Sequence, residues 1–143
     1  MLHAIFALLL LCLPFPKESG KITVEIAGLR NNKGQVYITF FKDGKGYYDK
    51  AEFAVHTAAI PIVNGKATYI SPNLPYGNYA AVAIHDENNS KKLDLAFLGY
   101  PIEGIAVSNN AIGRFWQIKD FEAAKVVLKG TNLKTVPLQL LLV

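Results

Sequence analysis

The chain holds a single cysteine, Cys12, and a single tryptophan among 143 residues. One cysteine excludes an intrachain disulfide, a Cys-ligated zinc cluster and a Cys-x-x-Cys redox centre, and a cut anywhere beyond Cys12 leaves a mature chain with no thiol. Histidine is scarce as well: His3 sits in the leader, which leaves His56 and His85, too few for a His-rich metal site. Charge is modest, 15 Lys and Arg against 11 Asp and Glu for a net of +4. No basic helix or RNA-binding signature accompanies it, so nucleic acid is not an expected partner. No G-x-S-x-G surrounds Ser71, Ser90 or Ser108, no H-E-x-x-H occurs, and no glycine-rich phosphate loop opens a helix. An enzyme is therefore not expected, and an uncharacterised hydrolase built on a carboxylate pair such as Asp86 with Glu103 stands only as the remote alternative.

Long apolar runs are missing too, save one. Residues 4–13 are apolar and are closed by Pro14-Phe15-Pro16. That run falls short of the ~20 residues of a membrane-spanning helix and matches the core of a secretory leader. Residues 1–20 are read as a signal peptide, with a short uncleaved anchor as the alternative, and residues 21–143 as one domain. Export to the periplasm or the extracellular space follows, with no transmembrane span in the mature chain.

From Lys21 onward the pattern is of short strands and turn chemistry. Ile22, Val24 and Ile26 alternate with Lys21, Thr23 and Glu25, which makes a strand with one apolar face. Asn31-Asn32-Lys33-Gly34 turns into a second strand over 35–41, apolar at Val36, Ile38 and Phe40 and partly apolar on its other face. Asn64-Gly65 is a hairpin signal between 60–63 and 66–70. Residues 79–85 are small or apolar on both faces and read as a central strand. A long polar connection is expected over 86–113, then a helical turn over 120–124. A closing antiparallel pair is expected over 125–129 and 135–143, with Pro137 placing the last strand at an edge. Phe115-Trp116 reads as a plug at one end of the core. With about seven strands and no βαβ alternation, the fold class is all-β, an antiparallel β-sandwich of Ig-like or transthyretin-like type.

The polar connection carries the candidate chemistry. Asp86, Asn88, Ser90 and Asp94 occupy positions 1, 3, 5 and 9 of an EF-hand-type loop, whose oxygens suit a hard cation such as Ca²⁺. Lys91 stands where that loop wants Gly, and Phe97 where it wants a bidentate Glu. No cofactor is expected unless a weak Ca²⁺ site forms there; the competing reading is a solvated loop in which Asp86 and Asn88 cap backbone amides. His85 lies at the mouth of this loop, either as a ligand contact or hydrogen-bonded to loop backbone. His56 has no evident partner. Lys42, Lys45, Lys50, Lys91 and Lys92, with Tyr47, Tyr48, Tyr76 and Tyr100 between them, suit acidic glycans or anionic lipid head groups, or merely a solubilising surface.

Leu74-Pro75-Tyr76-Gly77-Asn78-Tyr79, the run from His85-Asp86-Glu87-Asn88-Asn89-Ser90 through Lys91-Lys92-Leu93-Asp94, Gly99-Tyr100-Pro101-Ile102-Glu103-Gly104 and Ser108-Asn109-Asn110 occur in that order. On these segments the chain resembles the bacterial exported domain-of-unknown-function family 2141 over roughly 22–142. The resemblance implies an exported β-sandwich and imports no biochemical activity. The chain departs from the family pattern at Lys91, where Gly is usual, and at Ala96, where a polar residue is usual.

The expected function is a non-enzymatic binding or accessory module of the cell envelope that contacts a ligand, glycan or partner protein through the 86–110 loop. His85, Glu103, Asn109 and Asn110 are the expected contact residues. The alternative is a structural or assembly protein pairing through an exposed strand edge.

Overall fold

The structure, a computed structural model, describes residues 18–113 and 117–130, and the backbone of 134–139. Residues 1–17, which hold most of the leader, residues 114–116 with Phe115-Trp116, residues 131–133 and the chain beyond 139 lie outside the described residues. Within the described residues ten strands run in chain order: β1 (Ser19–Gly20), β2 (Ile22–Ala27), β3 (Gln35–Lys42), β4 (His56–Ile60), β5 (Ala67–Ile70), β6 (Leu74–Pro75), β7 (Gly77–Asp86), β8 (Gly104–Val107), β9 (Val126–Leu128) and β10 (Lys134–Gln139). A five-stranded antiparallel sheet has the order β4-β3-β7-β8, with β9 beside the first residues of β7. The second sheet is β10-β2-β5, and β1 pairs with β6 in a short ribbon. The fold is all-β and sandwich-like, as expected.

Alternation explains the layers. Ile22, Val24 and Ile26 of β2 face Val36, Ile38 and Phe40 of β3 across the gap between the sheets, and each is no more than 1% exposed. Tyr79, Ala81 and Ala83 of β7 join that core from one face, while Ala80 and Val82 enter a second core on the opposite face with Phe41, Tyr47, Ile105 and Val107. A layer of loops and the short helix α1 (Phe121–Ala124) closes this second core, with Asp120 capping α1 by accepting the Ala123 amide at 3.0 Å. A strand covered on both faces needs no polar alternation, hence the apolar run in β7. Truncating Phe40, which is fully buried between the sheets, belongs to the substitutions that cost about 3 to 5 kcal/mol.

Four expectations are corrected. Asn64 (φ 51°) and Gly65 (φ 71°) do form a tight turn, with Val63 and Lys66 exchanging hydrogen bonds of 2.8 and 3.1 Å. The flanking strands then part: β4 joins β3 and β5 joins β2 in the other sheet, with Pro61 at the departure point where a missing amide prevents further pairing. The final strands do not pair with each other either. β9 runs antiparallel to β7, whereas β10 crosses over to lie parallel to β2, an edge position that suits Pro137 opposite Glu25. The 86–113 connection is not all loop, because β8 runs through it. His56 has a partner, its Nε2 lying 2.5 Å from the Tyr69 hydroxyl, with the two rings stacked where β4 and β5 meet.

Candidate functional site

Three loops meet at the Asp86 end of β7. Asn32 Oδ1 accepts the Gly65 amide at 2.8 Å, which ties the β2–β3 loop to the tight turn at 64–65. The carbonyl of Lys33 lies 2.9 Å from His85 Nε2, and since a carbonyl only accepts, Nε2 carries the proton. His85 is fully buried, and its Nδ1 has no partner among the described residues. The adjacent Asp86 is equally buried. Neighbours on a strand point to opposite faces, so the two form no dyad.

Asp86 uses both carboxylate oxygens on its own loop. Oδ1 accepts the Ser90 amide at 3.0 Å and Oδ2 the Lys91 amide at 2.7 Å. Glu103, 3% exposed, does the same across the base of the loop: Oε1 accepts the Glu87 amide and Oε2 the Asp94 amide, both at 3.1 Å. Asn88 Oδ1 also accepts the Ser90 amide, Asn88 Nδ2 donates to Asp94 Oδ2, and the Ser90 hydroxyl donates to the Lys92 carbonyl. Arg30 closes the assembly from the β2–β3 loop, with Nε on Glu87 Oε1 at 2.5 Å and Nη2 on the Ile102 carbonyl at 2.8 Å. Burial would raise the Glu87 carboxyl, but hydrogen bonds from Asn31 and Arg30, with the Arg30 charge, hold it below the usual carboxylate range.

The oxygens singled out for a cation are thus gathered at one end of the sandwich and engaged by the loop's own donors. Among the described residues no three His, Cys, Asp or Glu side chains gather as a metal site would require. Lys91 adopts φ 62°, the left-handed conformation in which Gly is at home. A non-glycine residue pays about 1 to 2 kcal/mol there. Lys91→Gly is accordingly expected to stabilise the fold by about 0.5 to 1 kcal/mol, net of glycine's greater entropy loss. Chemical denaturation reads this directly, and a lowered midpoint would refute it.

Beyond this base the chain forms a tight hairpin. The Ile102 amide donates to the Asp94 carbonyl at 3.0 Å, Ala96 to Tyr100 at 2.7 Å, and Gly99 to Ala96 at 3.0 Å, with Leu95 bridged to Pro101. Leu98 (φ 77°) and Gly99 (φ 79°) turn the tip. Its large apolar side chains face outward: Phe97 is 92% exposed and Leu98 79%, with Leu95, Tyr100 and Ile102 at 55, 44 and 44%.

The model of a bacterial family described as an uncharacterized protein conserved in bacteria, DUF2141, matches residues 24–136. This chain belongs to that family. The match runs from inside β2 into β10 and contains the whole loop end. Neither the curated proteins nor the solved structures yield a match.

In this DUF2141 member the expected contact residues divide. His85 and Glu103 stand at the loop end with Asp86, Asn88, Ser90 and Asp94. Asn109 and Asn110 do not, because β8 carries the chain away, three steps of ~3.3 Å from Gly104 to Val107. Asn109 Nδ2 donates to the carbonyls of Ala123 and Lys125, and the Ser108 hydroxyl donates to Ala124 while accepting the Ala81 amide. These residues hold the α1 segment onto β7. Sequence reasoning missed Arg30, whose partners lie 57 and 72 residues away. It also passed over the outward-facing hairpin, although the apolar run 95–102, interrupted only at Gly99 and Pro101, was there to be read.

A concavity of about 500 Å³ lies on the far face of the large sheet, lined by Lys45, Tyr47, Lys50, Phe53 and Phe121 among others. Tyr47 is 7% exposed, and its hydroxyl has no partner among the described residues. Burial, with smaller contributions from Tyr48 and Asp120, pushes that hydroxyl up to about 12 from 10.0. The fold favours the neutral phenol, so this contribution is complete below pH 10 and is lost as the pH rises from 10 toward 12. Tyr47→Phe should flatten the alkaline decline of the denaturation midpoint without lowering it at pH 7, since it removes an unanswered buried hydroxyl. Parallel declines in both proteins would contradict this assignment.

Proposed function

We propose that this protein is an exported, non-enzymatic accessory module of the cell envelope that engages its partner through the 86–110 loop. The observation that carries the reading is the 94–102 hairpin, whose apolar side chains stand in solvent on a base fixed by two buried carboxylates. Exposed apolar groups on a rigid support are what an interaction site requires, because little ordering cost remains at binding. The polar groups beside it, His85, Asp86 and Glu103, are buried, and their hydrogen bonds run to backbone. That is the behaviour of scaffolding and leaves them no face toward a substrate.

Export rests on the apolar stretch 4–13. N-terminal sequencing of protein recovered from the envelope should find a mature chain starting between Phe15 and Lys21, and an intact Met1 on soluble cytoplasmic protein would refute it. Binding is tested with a photoreactive amino acid at position 97, compared with one at Val127 in β9, which is also exposed at 44%. Crosslinks confined to position 97 support the loop as the contact; equal or absent crosslinking at both positions would overturn it.

A further inference from the structure

We infer that the 94–102 hairpin is a membrane-docking finger that enters the surface of an anionic lipid bilayer, an inference that rests on the loop reading above and names its partner. Shape comes first. The tip is convex, and Leu95, Phe97, Leu98, Tyr100 and Ile102 expose 44 to 92% of their surfaces within eight residues. Isolated exposed apolar residues are ordinary, but this many on one projecting turn is an exposed apolar patch.

The backbone of the finger is prepared for an apolar medium. The amides of Ala96, Gly99 and Ile102 are answered inside the hairpin at 2.7 to 3.0 Å, which lowers the penalty of carrying donors out of water. Leu98 is held at φ 77°, a conformation unfavourable for a branched residue, in a turn that keeps its side chain 79% exposed. The segment 95–102 contains no charged residue.

Charge at the root selects the kind of surface. Lys91 and Lys92 are exposed just before the hairpin, and the ion pairs among the described residues, Arg30 with Glu87 and Lys125 with Glu122, involve neither. The nearby acids face away from an approaching surface or are paired: Asp86 and Glu103 are buried on backbone amides and Glu87 is paired with Arg30, which leaves Asp94, accepting from Asn88, as the one half-buried acid beside the two exposed lysines. A lone apolar tip flanked by two cations is complementary to hydrocarbon lying beneath anionic head groups, with Tyr100 at the depth where aromatic rings gather. A protein groove would have to supply a concave apolar slot with an acidic rim, whereas an anionic bilayer presents both features everywhere.

The test uses the full chain with vesicles of phosphatidylglycerol and phosphatidylcholine in equal parts, and with phosphatidylcholine alone. In Phe97→Trp the new indole should shift to the blue and be quenched by brominated acyl chains, after subtraction of the wild-type signal from Trp116. The double variant Phe97→Asp with Leu98→Asp should lose at least tenfold in partitioning at an unchanged melting temperature, since both side chains lie outside the core. Lys91→Glu with Lys92→Glu should lose more than tenfold on the anionic vesicles and change little on the neutral ones, at roughly fivefold for each basic charge removed. Equal partitioning of wild type and the double aspartate variant, or an unquenched indole in Phe97→Trp, would overturn the inference. If that indole stays unquenched while position 97 alone crosslinks to one defined envelope protein, the lipid assignment fails and the loop remains the contact; with neither signal, both readings fall.

Discussion

Gly34→Ala is expected to lower stability by about 2 to 5 kcal/mol, the sum of a left-handed backbone penalty and a steric displacement of the adjoining Asp86–Glu87 backbone. Gly34 ends the turn between β2 and β3 at φ +65°, and a Cβ built there would lie 1.8 Å from the Asp86 carbonyl oxygen and 2.8 Å from Glu87 Cα. Every one of those contacts is backbone, so no side chain can rotate away. Relief requires the end of β3 to move off β7, which would break the pairing of Gln35 with Asp86 and tilt the residues that anchor the loop. Gly65 is the control. It has a similar φ of +71° but open space, with the Leu29 carbonyl 4.0 Å from the notional Cβ, so Gly65→Ala carries the conformational penalty alone, about 1 kcal/mol. Matched denaturation curves should therefore separate the two alanine variants by at least about 1 kcal/mol; coincident curves would mean that the close approach of the two backbones is not what makes Gly34 necessary.

The strands around Gly34 are the part of the fold that is legible in the sequence. Ile22, Val24 and Ile26, then Val36, Ile38 and Phe40, alternate with polar or partly polar residues because each strand has one face on the core. β8 escapes the same reasoning because Gly104, Ile105, Ala106 and Val107 are all buried, so no period of two remains to be seen. The partners of β9 and β10 are hidden for a different reason: a glycine at position 130 suits a hairpin and a crossing between sheets equally well, and the choice is made by distant strands, β7 and β2. At the site, the alternation Asp86, Asn88, Ser90 marks a constrained loop, but oxygen atoms spaced for a cation are also spaced to accept amides, and only geometry separates the uses. The hairpin tip is passed over in sequence because Phe97 and Leu98 lie inside a connection read for its polar residues. Nothing local says that a turn will hold them outward.

Glu103→Ala should produce the second large loss, about 2 to 5 kcal/mol, because two part-buried amides lose their acceptor at about 1 to 3 kcal/mol each, with water reaching them trimming the upper end. Glu103 sits immediately before β8, 3% exposed, and its two oxygens reach the amides of Glu87 and Asp94 at opposite ends of the loop they bracket. It is therefore the clasp between the β7 exit and the start of the hairpin, and no neighbouring side chain among the described residues duplicates both bonds. Glu103→Gln separates charge from geometry: the amide oxygen keeps one acceptor, while the NH₂ group faces the remaining N–H donor. The expected stability order is wild type, then Gln, then Ala. Hydrogen exchange adds a local signature. The amides of Asp94, Ala96 and Ile102 should exchange faster in Glu103→Ala than the amides of β2 and β3, because the strands of the core retain their ladder hydrogen bonds while the loop loses its anchor. Uniform acceleration across all strands would make Glu103 a support of the global core and not of the loop. Unchanged exchange at Glu87 and Asp94 would show that its carboxylate does not hold those amides.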